Sequence, residues 1–286
     1  MGYLVLCHGV PRFLIHRLTT VITWADSLCR HEDLVTRQVD SMYFSDPQQT
    51  PYDLNFSVLG IPVRVSPWYW LATLILGWGL AQQNPKLLFL WAVAAFFSIL
   101  LHEMGHAVVM RRFGEYPRIV LYQMGGLAIG GGGRSSREQI IISAAGPVIQ
   151  LLLAALCIAL VRVSGHAYPA EIPFWDNAWF NLTGEGLPWL PYDNLNEFLR
   201  FLLFINIYWA LINLLPVFPL DGGQIARSLF LLYSPRDGIR QSLLLSVIAG
   251  AGAAYYGFSH GQSYMGILFA LLAFDSYQTY QGTRRW

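Results

Sequence analysis

The chain has 286 residues, of which 55% are hydrophobic and 12% are charged, and its formal net charge at pH 7 is +1. This composition is far from that of a soluble globular protein and indicates a membrane protein. The 18 lysines and arginines form no dense basic face, which argues against nucleic acid as a partner, and the three cysteines lack the spacing of a disulfide framework or a thiolate metal site.

Residues 1–53 are predicted to form a cytoplasmic extension, either interfacial or disordered. Within it, residues 10–28 place apolar side chains at helical spacing, as an amphipathic interfacial helix does. Residues 54–65, LNFSVLGIPVRV, alternate in polarity around Gly60 and Pro62. This alternation predicts a short β-hairpin that leads into the first membrane span.

Six apolar stretches follow, and a helix needs about 20 residues to cross the hydrocarbon core of a bilayer. The predicted spans are residues 65–81, 87–110, 140–163, 199–220, 241–258 and 264–276, of which the last is the shortest. The predicted fold is therefore an all-α polytopic membrane protein, with residues 54–286 as its membrane-embedded domain.

The charged residues between these spans predict the orientation of the chain. Fifteen of the 18 basic residues lie in the N-terminal segment, in the loops after the second and fourth spans, and at the C-terminal tail. The opposite side has only Lys86, Arg162 and Arg200. Because positive charge is enriched on the cytoplasmic side, both termini are predicted to be cytoplasmic, which requires an even number of spans.

The second span contains LLHEMGHAVVM at residues 100–110, with three ionisable side chains among apolar ones. His102 and His106 are four residues apart, so on a helix both imidazoles project from one face and are suited to chelate one cation. Glu103 can reach a water molecule on that cation, which is the H-E-x-x-H arrangement with glutamate as general base. Polar contacts between helices are the alternative, but each ionisable group costs at least about 2–3 kcal/mol near the bilayer centre.

A catalytic zinc ion usually has three protein ligands, and the fourth span supplies a candidate for the third. This span ends in NLLPVFPLDGGQ, residues 213–224, where Pro216 and Pro219 interrupt the helix just before Asp221. Asp221 is predicted to lie on the inner side of the membrane, at the depth of the two histidines. An Asp-Gly turn that merely ends the helix is the alternative.

Three motifs occur together on hydrophobic segments: HEMGH at 102–106, AAGP at 144–147 and NLLPVFPLDGG at 213–223. On these motifs the chain resembles the site-2 protease family of intramembrane zinc metalloproteases, over about residues 54–240. The resemblance implies that the three ligand candidates bind one zinc ion, and that Glu103 is catalytic.

The resemblance also implies a three-helix catalytic core, made of the spans 87–110, 140–163 and 199–220. The family often has asparagine four residues after the glycine of its Gly-Pro pair, and here that position is Gln150. Gln150 is therefore a candidate for an amide that supports the metal ligands or stabilises an oxyanion. Asn213, the first residue of NLLPVFPLDGG, matches the family motif and is a second candidate.

Residues 117–133, PRIVLYQMGGLAIGGGG, follow the histidine-bearing span and predict a second hairpin. A helical substrate must be unwound locally, because its carbonyls are engaged in its own hydrogen bonds. We therefore hypothesise that Ile119, Val120, Leu121 and Tyr122 form an edge strand that accepts unwound substrate by strand addition. A flexible interhelical loop is an equally good interpretation of this sequence.

The predicted partners are the lipid bilayer and membrane-anchored protein substrates, of the kind cut in regulated intramembrane proteolysis. A non-proteolytic zinc-binding scaffold or transporter stays open as an alternative. Such a protein would not need Glu103 as a base, and further carboxylates or histidines along several helices would be expected in a transporter.

Overall fold

The computed structural model describes residues 48–166, 188 and 190–283, and the predictions for residues 1–47 and for most of the loop at 164–198 lie outside these residues. The described residues are mostly helical. In chain order the elements are the strands β1 (Leu54–Val58) and β2 (Ile61–Val65), the helices α1 (Pro67–Leu76), α2 (Trp78–Gln83) and α3 (Pro85–Arg112), the strands β3 (Arg118–Tyr122) and β4 (Gly125–Ile129), and the helices α4 (Ser136–Val163), α5 (Asp193–Asn213), α6 (Asp221–Tyr233), α7 (Gly238–Ser259) and α8 (Ser263–Gly282).

Four of the described helices, α3, α4, α5 and α7, are long and apolar enough to cross a membrane. They lie at the second to fifth predicted spans. The first predicted span is instead two short helices, α1 and α2, and the last is α8, which has 20 residues but is not among the four. A total of six spans therefore stays a prediction.

The helix α3 packs directly over Gly77, where α1 ends and α2 begins. A Cβ atom at this position would lie 2.5 Å from Trp91 Cδ1 and 2.8 Å from Leu88 Cδ1. The indole Nε1 of Trp91 donates to the carbonyl oxygen of Thr73 at 3.1 Å, and the same oxygen accepts from the Gly77 N–H. Apolar composition alone does not reveal this contact between helices, so the sequence indicates one continuous span.

Side-chain caps mark where the two central helices begin. Asn84 Oδ1 accepts from the Lys86 N–H at 3.0 Å, and Pro85 occupies the first turn of α3, where a backbone donor is not needed. Before α4, Ser135 Oγ accepts from the Glu138 N–H at 3.3 Å, and the Glu138 carboxylate accepts from the Ser135 N–H at 2.8 Å. This reciprocal pair is a capping box, so both helices start at signals that the sequence carries.

The four strands form one sheet in the order β1-β2-β3-β4. The pairs β1–β2 and β3–β4 are antiparallel, and a parallel pair between β2 and β3 joins the two hairpins. This parallel register places Val63 opposite Ile119 and Val65 opposite Leu121. All four side chains are buried, and they pack with Tyr69 of α1 and with residues of α3.

Because β3 is an interior strand, the prediction of an edge strand at Ile119, Val120, Leu121 and Tyr122 is wrong. Its backbone pairs with β2 on one side and with β4 on the other. The edges of the sheet are β1 and β4. Local alternation predicts each hairpin, but the parallel pairing joins segments far apart in the sequence and leaves no local signal.

The helices α3, α4 and α5 contact one another at the centre of the domain. Ala94 and Ala95 of α3 are buried against Phe201, Leu202 and Ile205 of α5. Small residues of this kind let helices approach closely within a membrane. This close packing brings the polar side chains of the three helices within reach of one another.

The connection from α5 to α6 spans residues 214–220, and Asp221 is the first residue of α6. The Phe218–Pro219 peptide bond within it is cis. Val217 of this connection is fully buried and packs against Ala254 of α7 and Phe269 of α8. The predicted break before Asp221 therefore corresponds to a short segment held against two further helices.

Candidate metal centre

His102 and His106 lie one helical turn apart on α3, and both side chains are buried. Their Nε2 atoms are 3.0 Å apart. Residues four apart on a helix share one face, so the spacing in the sequence is enough to explain this proximity. The two ring nitrogens point at a common position in the interior of the domain.

Asp221 reaches the same position from the first turn of α6. Its Oδ2 lies 3.1 Å from His102 Nε2, and its Oδ1 lies 3.4 Å from His106 Nε2. Gly222 and Gly223 make this approach feasible, since a Cβ at position 222 would overlap the Leu214 carbonyl and one at 223 would lie 2.5 Å from the Phe218 nitrogen. The glycines thus let α6 begin directly against the connection that precedes it.

The other ring nitrogen of each histidine is hydrogen-bonded to an oxygen. His102 Nδ1 lies 2.8 Å from Gln150 Oε1, and His106 Nδ1 lies 2.7 Å from the Ile142 carbonyl oxygen. Because each oxygen is an acceptor, Nδ1 carries the proton in the neutral imidazole. Each Nε2 therefore presents a lone pair toward Asp221, which is the tautomer that a metal ligand requires.

The donor set fits a zinc ion. Two imidazole lone pairs and a carboxylate face one another at 3.0 to 3.4 Å, an arrangement that repels unless a cation lies between them. Asp221 Oδ2 is buried and meets no donor at hydrogen-bond geometry. Tetrahedral zinc with ligands at 2.0–2.2 Å separates them by about 3.3 Å, close to the observed spacing. His102, His106 and Asp221 therefore form a possible metal site.

Glu103 lies between this site and strand β4. Its side chain is buried, and its carboxylate accepts a hydrogen bond from the backbone N–H of Ala128. A Cβ at position 126 would lie 2.5 Å from Glu103 Oε1, so a larger residue than glycine would displace the Glu103 carboxylate. The carboxylate is thus held beside the histidines and next to the edge of the sheet.

Two family models match the chain on either side of residues 173–189. The Peptidase M50B-like model matches residues 69–172, and the Peptidase family M50 model matches residues 190–249. A site-2 protease from Methanocaldococcus jannaschii has a solved structure similar to this fold, with a TM-score of 0.52 at 21% identity over 80% of this chain and 95% of that one. The chain belongs to the site-2 protease family. With its four apolar helices, this membership supports an integral membrane protein.

Curated relatives of this site-2 protease family member are larger proteins. A zinc metalloprotease of Methanocaldococcus jannaschii is 26% identical over 227 residues, which cover 78% of this chain and 57% of that protein. The protein Rip3 of Mycobacterium tuberculosis is 31% identical over 172 residues, which cover 58% of this chain and 35% of Rip3. The chain therefore spans between one third and three fifths of the length of these relatives.

Gln150 lies at the position where the site-2 protease family often has asparagine. Its amide oxygen bonds the ring nitrogen of His102 that points away from Asp221. Besides accepting from His102, Gln150 donates from Nε2 to the Ser98 carbonyl oxygen at 3.2 Å. Asn206 of α5 donates to Ser98 Oγ at 2.8 Å. The three polar side chains are fully buried and link α3, α4 and α5 in one layer.

Gln150 is a candidate from the sequence, whereas Ser98, Asn206 and the Ile142 carbonyl are the parts of the site that sequence reasoning missed. Serine and asparagine within apolar helices, as at Ser98 and Asn206, are the signal that points to such interhelical bonds. Asn213 is buried at the end of α5, just before the connection to Asp221. In the described part of the chain, its side chain makes no hydrogen bond to the three ligand candidates, and its supporting role stays a prediction.

Outside the apolar helices, Glu115 and Arg134 tie together the two ends of the segment that contains the hairpin β3–β4. Glu115 Oε1 lies 2.5 Å from Arg134 Nε, and Oε2 accepts from Arg134 and from the Gly131 N–H at 2.8 and 2.7 Å. Burial raises the pKa of the Glu115 carboxyl, but the hydrogen bonds and the charge of Arg134 outweigh it and hold that pKa below its usual value. The pair therefore fixes the loop that follows β4.

Proposed function

We propose that the chain is a zinc-dependent intramembrane endopeptidase, which cleaves membrane-anchored proteins within or near their transmembrane segments. The observation that carries this proposal is the convergence of His102, His106 and Asp221 beside the buried carboxylate of Glu103. Two of the helices that build the site, α3 and α4, are apolar and long enough to cross a membrane. Hydrolysis at this site would take place within the bilayer, as in regulated intramembrane proteolysis.

The residues around the metal site have complementary tasks in this proposal. A bound zinc ion supplies a Lewis acid and lowers the pKa of a water molecule toward about 7. His102, His106 and Asp221 hold one such ion per chain. Glu103 takes the proton of the attacking water and delivers it to the leaving amide nitrogen, as a general base that becomes a general acid.

Strand β4 is the candidate for holding unwound substrate, in place of β3. The Ser66 N–H donates to the Leu121 carbonyl at 2.9 Å, so the polar backbone groups of Leu121 point toward β2. Leu121 pairs with Gly126, and Ile119 pairs with Ala128. These are the non-hydrogen-bonded pairs of the antiparallel ladder, so the N–H and C=O groups of Gly126 and Ala128 point away from β3.

The outward edge of β4 faces Glu103, whose carboxylate accepts from the Ala128 N–H. A substrate strand added to this edge would take over the Ala128 N–H with one of its own carbonyl oxygens, which would release the Glu103 carboxylate next to the substrate and the metal ligands. Main-chain hydrogen bonds of this type give affinity without demanding one side-chain sequence. Strand addition at β4 therefore supplies both unwinding and positioning of the scissile bond.

Cysteine cross-linking tests this placement in an inactive Glu103→Gln chain whose native cysteines are replaced. A cysteine at Ile129 of β4 is expected to form disulfides with every second residue of the unwound substrate segment, because side chains alternate along a strand. A cysteine at Phe56 of β1, the opposite edge of the sheet, is the control. Equal cross-linking from both edges, or no alternation, would contradict the proposal.

Cleavage of a single-span reporter protein by the purified chain tests the activity itself. Glu103→Gln is expected to abolish cleavage and keep zinc, because the amide occupies the same space but takes no proton. Glu197→Gln, the same substitution at a glutamate that pairs with Arg200 near the start of α5, is the matched control and should keep activity. A scaffold or transporter would bind zinc without cleaving the reporter, so zinc binding without cleavage by the unaltered chain would favour that alternative.

The orientation in the membrane is part of the proposal. The excess of arginine at both termini, around the α3–α4 connection and from α6 to the start of α7 supports cytoplasmic termini and a site that opens toward the cytoplasm. Reporter fusions that are active only on one side of the membrane test this at each terminus. A C-terminal fusion that is active on the outer side would refute both the orientation and the even number of spans.

A further inference from the structure

The connection that carries Asp221 is held by two serine hydroxyls from outside the three central helices. The Phe218 N–H donates to Ser246 Oγ of α7 at 3.0 Å, and Ser276 Oγ of α8 donates to the Phe218 carbonyl oxygen at 3.4 Å. Phe218, Ser246 and Ser276 are each no more than 3% exposed. One buried peptide segment therefore has both of its polar backbone groups satisfied by side chains of α7 and α8.

Both hydroxyls bond backbone groups of Phe218 that are buried and have no access to water. Ser246 Oγ accepts from Phe218 and donates to the Ser242 carbonyl oxygen at 2.9 Å, so the direction of its proton is fixed. Without this acceptor the Phe218 N–H would be buried and unpaired, which is costly in an apolar interior. The contact therefore favours one position of the connection.

A displacement of Phe218 would be transmitted to Asp221 through direct backbone contact. The position of a Cβ on Gly223 lies 2.5 Å from the Phe218 nitrogen and from the Val217 carbonyl carbon, so α6 rests on this part of the connection without any side chain between them. The Leu220 N–H also donates to the Val217 carbonyl at 2.8 Å. Asp221 lies between these two contact points, at Leu220 and Gly223.

We propose that Ser246 and Ser276 are positioning residues for the metal ligand Asp221, and that α7 and α8 are therefore part of the metal-binding machinery. The proposal rests on the proposed zinc site. It assigns these helices a task beyond crossing or flanking the membrane: they hold the third ligand at the distance that the two histidines on α3 require. Neither serine contacts the metal ligands directly.

Zinc affinity of the purified full chain, measured by competition with a chromogenic chelator, tests the proposal without relying on cleavage. Ser246→Ala is expected to bind zinc about tenfold more weakly, as is usual when a residue that supports a ligand is lost. Ser246→Thr keeps the hydroxyl and should restore most of the affinity. Ser242→Ala is the matched control: Ser242 lies one turn away on α7, is similarly buried, and its hydroxyl donates to the Ile239 carbonyl of its own helix.

Each outcome of this experiment has a defined meaning. Equal affinities for Ser246→Ala and the unaltered chain, or equal losses for Ser246→Ala and Ser242→Ala, would overturn the proposal. If Ser246→Ala does not fold, Ser276→Ala decides in the same way, with Ser276→Thr as the rescue. An unaltered chain that binds no zinc would instead refute the proposed metal site, so the two failures are distinguishable.

Discussion

Gly146 of α4 offers the sharpest test of the metal centre, because an added methyl group would enter the space between the two histidines. A Cβ at this position would lie 2.6 Å from His106 Cε1 and 2.8 Å from His102 Nε2. Ordinary van der Waals contact begins at about 3.4 Å. In Gly146→Ala, the imidazole of His106 must therefore move by at least about 0.8 Å and that of His102 by about 0.6 Å, or α4 must shift.

Such a movement is large for a metal site, where ligand distances are held to within about 0.2 Å. We expect Gly146→Ala to weaken zinc binding at least about 100-fold, which corresponds to about 2.8 kcal/mol. Elemental analysis and chelator competition on the purified chain measure this effect. Alanine is the better helix former, so lost helicity cannot account for the result.

Gly252→Ala is the matched control, since it makes the same change within α7 where nothing lies within 4 Å of the added Cβ. This variant is expected to bind zinc as the unaltered chain does. Undiminished zinc affinity in Gly146→Ala would show that the histidines do not meet beside this glycine, and would refute the geometry of the site. An equal loss in Gly252→Ala would show that the effect is not local.

Two further variants test the surroundings of the site. Gln150→Leu removes the acceptor of His102 Nδ1 and is expected to lower zinc affinity about 10- to 100-fold in the same chelator assay. Gln150→Asn keeps both the acceptor oxygen and the donor amide and should lose less; equal losses in both variants would contradict the role of Gln150. The depressed pKa of Glu115 means that its bond to Arg134 stabilises the folded chain above about pH 4.3 and that this contribution is lost as the pH falls through the folded pKa. Glu115→Gln should therefore unfold more easily at pH 7, by about 1 kcal/mol, and this difference in thermal unfolding should vanish once the pH has fallen below the lowered pKa of Glu115 in the folded chain; a difference independent of pH would refute this.

The sequence alone determines the helices, the residues that cap them and the spacing of the two histidines. The histidine pair illustrates this, because a separation of four residues on any α-helix places two side chains on one face. The resemblance carried by HEMGH, AAGP and NLLPVFPLDGG is confirmed by the family models and by the similar fold of a solved site-2 protease. Proline residues before Asp221 likewise predict the break that separates α5 from α6.

Tertiary structure alone decided which groups support the ligands and which strand is free. The parallel pairing of β2 with β3 makes β3 interior and leaves β4 as the edge beside Glu103, although both strands belong to one predicted hairpin. The bonds of Gln150 to His102 and of Ser246 to Phe218 join residues that are 48 and 28 positions apart. Local periodicity specifies the face that a residue occupies on its own element, but the partner across that face depends on how distant elements pack, which no short pattern encodes.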